Sequence, residues 1–187
     1  VIRLLVLVAL GFLSAAPASS QIRNHEAPGN LEPTKKIECV SVNHVANDVT
    51  PADLLLAARS CVQKQDYDKA LRLFLLMQLR AYYDTTRVAD RTAHQAQFAL
   101  SLMFSDGLTT RTRGRFEKAF KRFGDSGSPA HIEFCRSVTK GGPPSYFPSY
   151  MIQHGMKAFT SPRSDGLVRG HNPRLAWQKT LRNYMKC

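Results

Sequence analysis

A chain of 187 residues has room for one domain with a substantial core. Its formal charge of +12 would ordinarily direct attention to nucleic acid. The N-terminal residues argue against that partner, and against a membrane span as well, because they have the layout of an export signal.

VIRLLVLVALGFLSAAPASS, residues 1–20, carries one basic residue, Arg3, then an apolar run, then small residues around Pro17. That order is the order of a secretory signal peptide with cleavage between Ala18 and Gln21. The run breaks at Ser14 and Pro17, short of the ~20 apolar residues that a span requires. Loss of Arg3 with the signal would leave +11 on the mature chain. An exported protein seldom meets nucleic acid, so the charge is read toward an acidic protein partner, with peripheral contact to an anionic envelope surface as the alternative.

Residues 21–46 begin as QIRNHEAPGNLEPTKK, polar and proline-bearing, which reads as a flexible leader. IECVSVNHV continues it in extended form. The helical domain is expected over 47–187. Thr50-Pro51-Ala52-Asp53 is a helix start: a capping hydroxyl, proline at the first helical position and a carboxylate near the positive end of the dipole. That helix runs through LLLAARSCVQK, and DKALRLFLLMQLRAYY supplies a second after a short turn, which implies antiparallel packing.

Four cysteines, Cys39, Cys61, Cys135 and Cys187, are spaced too widely for a zinc knuckle or a C-x-x-C redox pair. In an exported chain they read as two structural disulfides, with free buried thiols as the alternative. Pairing nearest in sequence gives Cys39–Cys61, tying the extended arm to the first helix. The same rule gives Cys135–Cys187, tying the last helix to the fifth.

Leu54, Ala58, Tyr67, Ala70 and Phe74 fall at the spacing of the tetratricopeptide pattern, and QDYDKAL resembles that family's turn between helices. The resemblance spans residues 51–82, roughly one 34-residue repeat. It departs from the pattern at Cys61, Gln65 and Tyr82, where the family usually has Tyr, Gly and Pro. It implies a closely packed helix pair and names no ligand.

RVADRTAHQAQFALSLMF (87–104) predicts a third helix, with Ala89, Ala93, Ala96, Leu100 and Met103 on one face. TRGRFEKAFKRFG (112–124) is a basic helix: Arg111, Arg115, Lys118 and Arg122 recur at helical spacing, with Arg113 and Lys121 beside them. Phe116, Phe120 and Phe123 form the stripe expected to be buried. PAHIEFCRSV (129–138) starts on Pro129 behind Ser128 and is ended by Gly141 and Gly142. NPRLAWQKTLRNYMKC (172–187) starts with Asn172 and Pro173 and offers Leu175, Leu181 and Tyr184 to the core. The fold class is therefore all-α: an irregular array of about six antiparallel helices, with a tetratricopeptide-like first pair and disulfide support.

Between the fifth helix and the last lies GGPPSYFPSYMIQHGMKAF (141–159). Tyr150 and His154 are four apart on one short helix and could form an acid/base pair. With no carboxylate in the stretch to orient the imidazole, and no nucleophile, they read as polar edges of a structural corner. His25, His44, His94, His131, His154 and His171 show no metal-ligand spacing, and no phosphate loop or nucleophile elbow is present. No cofactor or metal is expected, and no catalytic residue is assigned. The expected function is protein binding through the basic helix, by an exported helical protein that resembles adaptors and immunity proteins in kind only. An enzyme using Tyr150 and His154, or a binder of an anionic ligand, is the alternative.

Overall fold

The computed structural model describes residues 27–161 and 164–187; the expected signal peptide, with the first residues of the leader and His25, lies outside them. Among the described residues the chain is helical, and the one β feature is an isolated antiparallel bridge between Val88 and Leu167. Six longer helices are α1 (Pro51–Gln63), α2 (Tyr67–Thr85), α3 (Ala96–Asp106), α4 (Thr110–Phe123), α5 (Pro129–Gly141) and, numbered after two single-turn helices, α8 (Pro173–Thr180). Those two are α6 (Ser149–Ile152) and α7 (Lys157–Thr160).

Side-chain caps set most of the starts. Thr50 Oγ1 accepts from the Asp53 N–H at 3.1 Å, and Asp53 Oδ2 accepts from the Thr50 N–H at 2.8 Å, so α1 opens on a complete capping box. Asp66, Thr109, Ser128 and Asn172 cap α2, α4, α5 and α8 in the same sense. Gly142, at φ +74°, ends α5 in a backbone region that side chains disfavour.

The leader is not free where it is described. Fully buried Asp53 also holds the leader in place, because its Oδ1 accepts from the N–H groups of Thr34 at 2.6 Å and Lys35 at 2.8 Å. Leu31 donates its N–H to the Tyr150 carbonyl at 3.1 Å. Buried Arg80 on α2 then donates to the carbonyls of Ala46 and Val49. An extended segment rich in prolines can dock in this way because helix-borne side chains supply its hydrogen-bond partners.

α2 is the centre of the array, contacting α1, α3, α4 and α8. It meets α1 along small residues, Ala58 and Ala70, both fully buried. The aromatic cluster of Phe74, Phe104 and Phe116 joins α2, α3 and α4, with ring centroids 4.8 to 5.8 Å apart. Cys39 is bonded to Cys61 and Cys135 to Cys187, the pairing that proximity in sequence suggested.

Three expectations about faces fail, each for a local reason. The third helix begins at Ala96 because Asp90 caps a 3-10 turn over Arg91–Gln95 and Val88 is drawn into the bridge with Leu167. Leu175 is exposed; Leu181 is buried as expected, and Trp177 and Thr180 join it. On α4 the buried positions are Ala119 and Phe123, flanked by half-buried Thr112 and Phe116, while Phe120 is 56% exposed. The buried stripe follows i, i+4, i+7, i+11 from Thr112, and Phe120 stands one residue off it.

Phe123→Ala should therefore destabilise the protein by about 3–5 kcal/mol, as loss of a core aromatic does. Phe120→Ala should stay within about 0.5 kcal/mol. Urea unfolding of the two variants side by side checks the pair; equal losses would contradict this orientation of α4.

Candidate functional site

Tyr150 and His154 do not form a pair. Tyr150 is fully buried on α6, and its hydroxyl donates to Asp84 Oδ2 at 2.8 Å. Half-buried His154 turns elsewhere and donates from Nδ1 to Asn30 Oδ1 at 2.8 Å. The helix expected to carry both ends at Ile152, before His154, and the chain turns through Gly155, where a Cβ would come within 2.5 Å of Asp90 Oδ2 and 2.8 Å of the Ala93 Cβ. Glycine is the residue that lets the corner lie this close to the Arg91–Gln95 turn.

The carboxylate missing from residues 141–159 comes from α2. Fully buried Asp84 accepts from Tyr146 and Tyr150 on Oδ2, each at 2.8 Å, and from Arg87 Nε on Oδ1 at 2.7 Å. The Arg87 guanidinium lies over the rings of Tyr83 and Tyr146, 5.1 and 4.8 Å from their centroids. It also donates to the Tyr146 carbonyl at 2.9 Å. Burial pushes the Asp84 carboxyl above its usual range, and the Arg87 charge and the two hydroxyls pull it back. Burial, followed by the nearby Asp84 charge, raises both tyrosines well above 10, so they remain donors.

A cavity of about 440 Å³ lies against this network, lined by Tyr83, Arg87, Pro144, Ser145, Leu167 and His171, among others. The guanidinium at its wall is already committed to Asp84. Asp84, Tyr146 and Tyr150 are spent on one another and fix a corner, and of the other lining groups His171 bonds the Thr86 hydroxyl through Nε2 at 3.2 Å.

Elsewhere, His131, Cys135 and Cys187 bring one nitrogen and two sulfurs within 4.8 Å. With those sulfurs joined in a disulfide, there is no thiolate to offer a metal ion. His94 bonds the Val88 carbonyl at 2.9 Å, and His44 is exposed in the docked leader.

The basic helix is the other arrangement to consider. Arg111, Arg113, Arg115, Lys118, Lys121 and Arg122 are all exposed on α4. Arg122 is held by Asp68 of α2, its terminal nitrogen 2.7 Å from Oδ1. Arg113 reaches the Ser105 carbonyl at 3.4 Å. Arg111, Arg115, Lys118 and Lys121 have no ion-pair partner among the described residues. Phe120 emerges on the other flank of the helix from Arg111, Arg115, Lys118 and Arg122, with Arg113 alone close to it in helical phase. The sequence pattern reveals the charges but hides the exposed ring, because three closely spaced phenylalanines all look like core residues. The signal that separates them is Ala119, which marks the middle of the buried stripe.

No family model, curated protein or solved structure matches this chain.

Two outcomes follow for the corner. Asp84→Ala should cost about 3–5 kcal/mol, since it strands a buried guanidinium, whereas Tyr150→Phe, which leaves Tyr146 in place, should cost about 1–3 kcal/mol; chemical denaturation measures both. The second concerns pH. Burial lowers the imidazole pKa of His154 and, with help from Arg87, that of His171. The unfolded chain therefore takes up these protons first as pH falls, and the stability present above their ordinary value of about 6.5 is lost on acidification. The melting temperature should drop between about pH 7.5 and 5.5, and a His154→Gln, His171→Gln double variant should show a flatter profile. An unchanged slope in that variant would assign the loss to other groups.

Proposed function

We propose that this is an exported, non-enzymatic helical protein that binds an acidic protein partner through α4, in the manner of an adaptor or a toxin-neutralising immunity protein. The observation that carries the reading is Phe120. An aromatic ring 56% exposed, on a helix whose opposite flank carries Arg111, Arg115 and Lys118 without ion-pair partners among the described residues, is a poor solvent face. The combination suits an interface that spans the solvent side of the helix: an aromatic anchor that gains by desolvation on one flank, and on the other a ridge of charges that selects and orients the partner.

The remainder of the molecule supports this reading. α4 is seated by Phe116 and Phe123 and tied to α2 through Asp68, so the ridge is presented in a fixed orientation. Residues 51–82 are proposed to form one tetratricopeptide-like pair, with buried Ala58 and Ala70 at the close approach. Such a pair gives the ridge a stiff support. Export is proposed from the signal-like residues 1–20, and the two disulfides are compatible with it.

The test compares three baits against the periplasmic fraction of the producing cell: wild type, Phe120→Ser, and an Arg115→Glu, Lys118→Glu double variant. An acidic protein retained by the wild type should be lost by more than about tenfold with Phe120→Ser. It should associate more slowly with the double variant, and added salt should weaken the wild type more than the double variant. Thermal stability should scarcely change in either, since the altered groups are exposed. Equal retention by all three baits would move the binding surface away from α4. Binding to phosphatidylglycerol vesicles, without any retained protein, would replace the protein partner with an anionic surface.

A further inference from the structure

The two disulfides differ in burial and in the charge around them. Cys61 is fully buried within α1, and the carboxylate of Glu38 lies beside Cys39 in sequence while reaching the Ser60 hydroxyl at 3.4 Å and Lys64 Nζ at 3.1 Å. An incoming thiolate meets a fully buried sulfur at Cys61 and a half-buried one at Cys39, beside a Glu38–Lys64 ion pair whose charges offset each other. Cys187, in contrast, is exposed, Cys135 is half-buried, and their sequence neighbours Lys186 and Arg136 are exposed cations. Cations beside a disulfide favour approach of a thiolate.

His131 adds the second element. It lies one turn before Cys135 on α5, with Nε2 3.5 Å from the Cys135 sulfur. The ring's protonation is set by its other contacts. Nδ1 accepts from the Gly127 N–H at 3.1 Å, so the proton of the neutral ring is on Nε2, where it is donated to the Met185 carbonyl at 2.8 Å. That N–H is therefore next to the sulfur that would carry negative charge if the bond opened toward Cys187.

We propose that Cys135–Cys187 is a thiol–disulfide exchange site, opened by a dithiol reductant, while Cys39–Cys61 is a structural brace. The reductant's thiolate attacks the exposed Cys187 sulfur, and a new sulfur–sulfur bond forms there as the Cys135–Cys187 bond breaks. The electron pair goes to Cys135, which leaves as a thiolate stabilised by the His131 N–H. The reductant's second thiol, deprotonated, then displaces Cys187 and closes its own disulfide. Cys135 and Cys187 each end with one proton, so the protein gains two electrons and two protons while the dithiol is oxidised.

Opening this bond would release what it holds. The turn Leu181–Met185 supplies the His131 partner through Met185, and Tyr184 stacks on Tyr82 with centroids 4.4 Å apart. His131 in turn meets the edge of Phe123, one of the residues that seat α4. The proposal stands on the sulfur chemistry and does not depend on α4 binding a partner.

The experiment uses the full oxidised protein, with a monothiol and a dithiol as probes. Glutathione is added for short times, free thiols are trapped with iodoacetamide, and peptides are mapped by mass. Cys135 should carry the alkyl group and Cys187 the glutathione, with Cys39–Cys61 intact. With dithiothreitol, Cys135–Cys187 should open at least about tenfold faster than Cys39–Cys61. His131→Phe, which keeps a ring but loses the N–H, should slow that opening several-fold. Glutathione found on Cys135, or Cys39–Cys61 opening as fast or first, would overturn the proposal. A His131→Phe variant that opens as fast as the wild type would overturn the role given to the imidazole; should that variant fail to fold, the wild-type adduct position and rate ratio decide alone.

Discussion

The buried carboxylate of Asp84 is the point on which the later half of the structure hangs. One α2 side chain, with no exposure to solvent, collects two hydroxyls from residues 146 and 150 and a guanidinium from residue 87. Ionised groups are costly to bury, and this one is tolerated because both of its oxygens are satisfied by donors of complementary charge or polarity. The geometry decides where the segment after α5 runs. Pro143 and Pro144 stiffen its exit from α5, and the two tyrosines fix its far end against the middle of the molecule. Once this corner is placed, Leu31 can bond the Tyr150 carbonyl, and the bridge between Val88 and Leu167 can close.

Asp53 does for the first half what Asp84 does for the second. Its two oxygens divide between closing the capping box of α1 and receiving the backbone of Thr34 and Lys35. Both carboxylates therefore convert a local helical feature into a long-range tether, and in each case a loop's backbone or hydroxyl groups are satisfied by a helix. Tethers of this kind supplement the apolar contacts of residues 27–46, where Ala27 is buried, Leu31, Ile37, Val42 and Val45 pack against the core, and Cys39 is bonded to Cys61.

Much of the local structure was legible because its causes are local. Thr50, Ser128 and Asn172 each precede a proline at the first helical position, and the structure places all three as caps. The cysteine pairing followed from proximity in the chain. The tethers were not legible, for the opposite reason. An Asp84–Arg87 pair on one helix looks like any solvated ion pair, and the two tyrosines that complete the site lie 62 and 66 residues away. Tyr150 stands out in the sequence as a chemical group, but its role is set by a carboxylate far outside residues 141–159. The phase of α4 is hidden more subtly. Three phenylalanines within eight residues suggest one face, yet a helix buries a stripe, and the small Ala119 at its centre carries little hydrophobic signal.

That misplaced phenylalanine changes how the charge of the protein is understood. A formal excess of +12 spread evenly over a surface would report on solubility and little else. On α4 the excess is local, because Asp68 offsets Arg122 and leaves five cations without an ion-pair partner among the described residues. Charges alone would still describe a solvated ridge. An exposed ring on the other flank of the same helix adds a contribution that water does not reward, since desolvating it is favourable while desolvating the cations is favourable only against opposite charge. A surface that gains from contact only when the partner is both acidic and apolar at one point is selective by construction. The rigid seating of α4 on α2 and α5 means that little ordering entropy opposes the contact.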